Sequence, residues 1–331
     1  MILPAAAGSD VTHGKVKLGM LLPTRGLLLR GEQPANMDRI IALAETVEQA
    51  GLDSVWVGDS LVAKPRMEPL AVLGALAART SRVRLGTAVL RPALRHPVLL
   101  AQTLATVDLI SGGRLVIGAG VGGAFNDDQK REWKAAGVPA KGRGRRFEEI
   151  IEIVQGLGSG APYDFHGRDF VLDSVLMRPV PPRKGGIPFL LASHYRARSK
   201  AQIRRAARLG AGIISISDTP DEFSQVRQQV AEKAAEFGRD PESLENSFYL
   251  TVNMDPDLGA AEADAKEWLT AYYGSDIWGA RWGPFGGPER VAERIAEYVA
   301  AGAGTIVVRF ASFEPEKQLD IFLNKVAPAY A

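Results

Sequence analysis

The sequence predicts an α/β fold, a TIM (β/α)8 barrel, on three observations. First, eight short segments, each nearly continuous in apolar residues, recur at 16–22, 54–57, 83–90, 115–119, 188–192, 212–216, 247–253 and 305–310. Such runs suit strands buried on both faces rather than a half-exposed sheet. Second, stretches with apolar residues at helical spacing separate them, and eight parallel strands with helical crossovers close most naturally into a barrel. Third, 331 residues with 46% hydrophobic content is long for one ordinary domain and normal for an α/β barrel. One domain over 15–331 is expected, preceded by a flexible N-terminus over 1–14.

The strand and helix signals alternate in order. Helices are expected over 37–50, 68–79, 99–110, 146–157, 199–209, 220–237, 260–272, 288–301 and 315–326. Several stop at glycine, as at Gly51, Gly210 and Gly238, which is a common helix terminator. The stretch 80–123 shows one βαβ unit in full. An apolar strand leads through His96-Pro97 into a helix, since proline is tolerated in a first turn. Gly112-Gly113 ends that helix, and the next strand exits through Gly118, Gly120, Gly122 and Gly123, which permit close approach. These glycines form no dinucleotide-binding fingerprint, because no helix with a following acidic ribose anchor opens there.

Two segments exceed what connectors need, and both are read as insertions. The segment 158–186 holds aromatics and a proline cluster, and a small hairpin is expected around 165–171, covering the side of the barrel. The segment 268–287 crowds Trp268, Tyr272, Tyr273, Trp278, Trp282 and Phe285 near the exit of the seventh strand, where active sites of such barrels lie.

Composition narrows the partners. Forty basic and 38 acidic residues leave a net charge of +2, so no global field favours nucleic acid or an anionic membrane. Zero cysteines exclude disulfides, thiolate metal sites and cysteine nucleophiles, and suit a reducing cytoplasm. No apolar stretch reaches the length of a membrane span, so a soluble, cytoplasmic protein is expected. The histidines at 13, 96, 166 and 194 are scattered without paired carboxylate motifs, and no metal site is expected.

Four pieces in order resemble the bacterial luciferase-like oxidoreductases, whose members use reduced FMN or the deazaflavin F420 and fold as TIM barrels. They are TSRVRLGTAVLRPALRHPVLLAQTLATVDLISGGRLVIGAGVGG over 80–123, DSVWVGDS over 53–60, GRDPESLE over 238–245 and GGPERVAERIAEYVAAGAGTIVVRF over 286–310. The resemblance implies roles at strand ends. The second strand often ends in Asp or Glu followed by His in that family; here Asp59 is followed by Ser60, which can hydrogen-bond a ligand but shuttles protons poorly. Asp59 and Ser60 are the candidate catalytic residues, with a helix cap or internal salt bridge as the structural alternative for Asp59. At the third strand the resemblance places a non-proline cis peptide, at Ala88-Val89, beneath the cofactor ring, with Thr87 beside it.

The fourth exit, with Gly122, Gly123 and Asn126, resembles the F420-dependent sugar-phosphate dehydrogenase branch. That branch carries glutamate at the position of Gly123, so its alcohol-oxidising machinery is incomplete here. Asn126 is a candidate ring contact. Ser193, His194, Tyr195 and Arg196 lie where the family holds the cofactor phosphate. The implied protein uses FMN or F420 as a monooxygenase or hydride-transferring reductase on an apolar or conjugated organic substrate. The alternative is a non-catalytic flavin or ligand carrier on the same barrel. Implied partners are a flavin or F420 reductase as electron donor and a second copy in a homodimer.

Overall fold

The computed structural model of the chain describes residues 16–31, 33–34, 36–274 and 282–330; the expected flexible stretch over 1–14 and Trp278 lie outside the described residues. In chain order the first half runs β1 (Lys17–Leu21), α1 (Asp38–Gln49), β2 (Ser54–Val57), α2 (Pro69–Arg79), β3 (Arg84–Leu90), α3 (Pro97–Ser111), β4 (Leu115–Ala119), α4 (Asp127–Ala135) and α5 (Arg143–Leu157). A hairpin of β5 (Tyr163–His166) and β6 (Val171–Val175) follows, then β7 (Phe189–Ala192), α6 (Lys200–Leu209), β8 (Gly212–Ile216) and α7 (Pro220–Glu236). The chain ends with β9 (Glu245–Met254), α8 (Leu258–Tyr273), β10 (Phe285–Gly286), α9 (Pro288–Ala300), β11 (Thr305–Phe310) and α10 (Pro315–Ile321).

The strands β1-β2-β3-β4-β7-β8-β9-β11 pair in that order, each parallel to its neighbours, and β11 closes onto β1. The fold is a TIM barrel. Side chains alternate across each strand. One set fills the barrel with a residue from every strand: Leu21, Trp56, Ala88, Val116, Leu190, Ile214, Tyr249 and Val307. The other set packs under the helices, where Leu85 and Phe248 of the strands and Phe147 and Phe223 of α5 and α7 are fully buried.

Trp56 is fully buried, and its indole N–H donates to Ser54 Oγ at 2.9 Å. It occupies room left by glycines on both neighbouring strands. A Cβ at Gly19 would stand 2.9 Å from Trp56 Nε1, and one at Gly86 would collide with the ring.

Capping explains several helix ends. Pro97 opens α3 and Gly112 closes it with φ of 68°. Thr219 and Glu222 form a reciprocal capping box at α7. Three local expectations are corrected. The hairpin is wider than 165–171 and docks on α5, where the Glu149 carboxylate accepts from the N–H groups of Arg168, Asp169 and Phe170. The final helix changes to one π-type turn at Phe322–Val326. Helix α4, after the fourth strand, is an addition to the expected helices.

Candidate active site

The C-terminal strand ends surround a cavity of about 300 Å³. Ala88 and Val89 line it from β3, where the ladder to β4 slips and the peptide between them is cis, the position the family resemblance implies. Ala88 belongs both to the barrel interior and to the cavity wall, so its small side chain sets the depth of the floor. Ala88→Phe is expected to fold, with overpacking costing about 1–3 kcal/mol, and to lose FMN and F420 binding in a fluorescence titration. Parent-like binding would remove Ala88 from the site. Thr87 is not part of the cavity: it is fully buried and its hydroxyl donates to Gly118 O at 2.8 Å.

Asp59 and Ser60 line the cavity at the end of β2, but both are committed to internal partners. The Asp59 carboxylate accepts Arg95 Nη1 and Nη2 at 2.6 and 3.0 Å, and the Arg91 N–H at 2.8 Å. The Ser60 hydroxyl donates to Glu132 Oε1 at 2.8 Å and accepts from the Lys64 N–H at 2.8 Å. Glu132, on α4, is fully buried and also accepts from the N–H groups of Leu61, Val62 and Ala63 and from the Arg91 guanidinium. Burial alone would raise its pKa; the Arg91 hydrogen bond and charge outweigh burial and hold it below the ordinary value. One carboxylate thus moors the whole loop after β2.

Asn126, Gly122 and Gly123 line the neighbouring wall. Asn126 caps α4, its Oδ1 accepting from the Gln129 N–H at 3.0 Å, and its Nδ2 makes no hydrogen bond among the described residues. Gly122 has φ of 81°, and a Cβ there would meet Arg91 and Trp133 at 3.2 and 3.3 Å. The exit of β4 therefore passes close to the Arg91–Glu132 pair.

The turn after β7 departs from expectation. Ser193 is fully buried, its N–H donating to Ile214 O at 3.2 Å and its hydroxyl to Leu191 O at 3.3 Å, so neither donor is offered to a ligand. The N–H groups of His194 and Tyr195 are also occupied, by Gln202 Oε1 and Asp218 Oδ2. His194 lines the cavity and also a second cleft of about 730 Å³ between α6 and α7. Tyr195 lines only that cleft, and Arg196 lines neither. In the cleft, Arg204 and Lys233 are paired with Glu148 and Glu236, whereas Arg198 and Lys200 have no ion pair among the described residues. His194 Nδ1 lies 3.2 Å from Ser215 Oγ, which donates to Asp218 Oδ2 at 2.6 Å. Burial lowers the imidazole pKa, favouring the neutral ring, against the opposing Asp218 charge.

The remaining wall was only partly anticipated. Tyr272 and Tyr273 from α8 line the cavity beside Tyr249 of β9 and Arg309 of β11. Tyr272 stacks on Trp268 with centroids 4.6 Å apart, and Tyr273 meets Trp282 edge-on at 5.8 Å. Lys64 and Arg66 complete this side from the loop after β2. Arg309 had a usable signal in the sequence: a charge within the apolar run TIVVRF, where burial requires a reason.

An apolar floor, an aromatic wall and a basic side cleft suit a cofactor-dependent barrel oxidoreductase. The chain belongs to the luciferase-like monooxygenase family, whose profile matches residues 16–282. It is 31% identical over 240 residues to the F420-dependent glucose-6-phosphate dehydrogenase of Nocardia farcinica (strain IFM 10152), covering 69% of this chain and 68% of that protein. The enzyme of the same name from Beutenbergia cavernae is 33% identical over 256 residues, covering 73% and 72%. Among solved structures, the monooxygenase RslO1 from Streptomyces bottropensis matches with a TM-score of 0.79 at 26% identity, over 95% of this chain and 100% of that one. An F420-dependent secondary alcohol dehydrogenase in complex with an F420-acetone adduct has a TM-score of 0.78 over 96% and 99% of the two chains; at 22% identity the likeness is one of fold.

Proposed function

We propose that this protein, whose family cofactors are FMN and F420, uses reduced F420 to deliver hydride to a small conjugated organic substrate. The observation that carries the direction of transfer is the double commitment of Asp59 to Arg95 and of Ser60 to Glu132. A carboxylate whose two oxygens already accept from an arginine fork does not present a free acceptor to a substrate hydroxyl, and oxidation of a hydroxyl needs such an acceptor. The F420-dependent relatives support the choice of cofactor. Reduced F420 supplies a hydride when bound and reacts poorly with oxygen.

The residues present fit such a group. Ala88 leaves space above the β3 bulge, the Asn126 amide would offer a donor, and the tyrosines of the wall would pack against the ring. Arg198 and Lys200, across the His194 junction, would hold the phosphate and acidic tail. The same reading includes a homodimer in the cytoplasm, recharged by a separate F420 or flavin reductase.

Titration of the purified protein with FMN and F420, each oxidised and reduced, tests the cofactor. Tighter binding of F420 with no oxygen-dependent turnover is the expected result; oxygen consumption with FMNH2 and substrate would make the protein a monooxygenase. Reversing charge with Arg198→Glu and Lys200→Glu together should weaken FMN and F420 at least about tenfold while leaving riboflavin affinity unchanged. Equal losses for FMN and riboflavin would remove the cleft as the phosphate site.

A further inference from the structure

A guanidinium is costly to bury without an opposite charge. Arg309 is 2% exposed, lines the cavity and has no carboxylate partner among the described residues. Its Nε and Nη2 donate to Thr251 Oγ1 at 3.1 and 2.8 Å, and Nη1 donates to Tyr273 Oη at 2.5 Å. The rings of Tyr249, Trp268, Tyr272, Tyr273 and Trp282 surround it, with centroids 4.6 to 5.4 Å from Cζ. Ring faces moderate a cation's field without cancelling its charge.

Arg309 has company. Arg66 Cζ lies 5.7 Å from the centroid of the Tyr272 ring that Arg309 approaches at 5.2 Å, so the two guanidiniums share one phenol. Gly58 makes room for Arg66, since a Cβ there would collide with Nη1. Arg66 Nε donates to Lys64 O and its guanidinium also hydrogen-bonds the Tyr272 side chain, and Lys64 Nζ donates to Tyr273 O; none of these partners is a carboxylate. The acidic side chains lining the cavity are already taken, Asp59 by Arg95 and Asp128 by Arg131. The local field shows in Tyr272: burial would raise its phenol, yet Arg66, Arg309 and Arg25 bring its pKa below the ordinary value.

We propose that the cavity contains an oxyanion subsite, in which Arg66 and Arg309 hold the carboxylate of a flat, conjugated substrate while Tyr249 and Tyr272 pack against its apolar body. The substrate is therefore an organic anion rather than a neutral apolar molecule. Its identity as a substrate rests on the oxidoreductase reading above; the subsite itself follows from unpaired charge and does not.

Trp268 and Trp282 beside Arg309 provide a fluorescence signal for binding to the full chain, with and without F420. Cinnamate and cinnamamide share a conjugated body and differ in charge. With F420 bound, cinnamate is expected to bind at least about tenfold more tightly than the amide, and Arg66→Met should erase the difference. Arg309→Met should do the same where it folds, and Arg66→Met stands alone where it does not. Equal binding of the two probes overturns the proposal. So does failure of cinnamate, benzoate and inorganic phosphate, each at millimolar concentration, to bind the parent more tightly than Arg66→Met. A second source of oxyanion is the cofactor's own phosphate: if Arg66→Met abolishes the preference for FMN over riboflavin, the subsite serves the cofactor and the substrate assignment falls. Charge-selective cinnamate binding in a protein that binds neither cofactor would keep the subsite and refute the oxidoreductase reading instead.

Discussion

Glu132→Ala is expected to destabilise the protein by about 3–5 kcal/mol, the usual cost of removing one partner from a buried ion pair. The loss strands the Arg91 guanidinium and leaves the loop N–H groups of Leu61, Val62 and Ala63 without their acceptor. Urea titration at neutral pH measures it, and a loss below about 1 kcal/mol, the range of an exposed pair, would show the mooring to be slack. The pH dependence has a definite sign. Because the folded-state pKa of Glu132 lies below its ordinary value of 4.5, its contribution is complete above that value and disappears as pH falls through the folded pKa. The gap between parent and Glu132→Ala should therefore narrow on acidification below pH 4.5. A gap that widens in acid would contradict the pairing.

The second large effect concerns chemistry. Oxidised F420 with sugar phosphates or simple alcohols should give rates about 10²- to 10⁴-fold below those of an enzyme with a positioned base, the typical worth of general base catalysis. The family resemblance implies that Gly123 takes the place of a glutamate, and Asp59 is clamped by Arg95. Reduced F420 with an activated alkene or imine should turn over. Steady-state assays on both substrate classes decide the matter. Rapid alcohol oxidation would overturn the proposed direction, and its sensitivity to Asp59→Asn or His194→Ala would identify the base.

The barrel was legible because parallel strands buried on both faces leave continuous apolar runs; 54–57, 115–119, 212–216 and 305–310 match β2, β4, β8 and β11 to the residue. Helix α4 was not, because its nine residues bury only Glu132 and Trp133 and show no apolar stripe. Its start was nevertheless written in Asn126 followed by Asp127 and Asp128, a cap with an acidic first turn. The cavity position of Ala88 was anticipated through family wording alone. Ser193 shows the limit: a small hydroxyl at a strand end can face a ligand or its own backbone, and pairing with β8 turned this one inward. The ion pairs of Asp59 and Glu132 join residues 36 and 41 positions from their arginines, distances over which no local pattern reports contact.

Trp56 and the residues level with it make the barrel a vessel closed at the bottom. An occupant of the cavity would reach it from the C-terminal ends of the strands or from the side cleft that His194 also lines. On the proposed reading, a cofactor with its tail in that cleft and a substrate would meet over one floor at Ala88. Exchange would then be a matter of order as well as affinity, since a substrate already on that floor would hold the place of the cofactor ring.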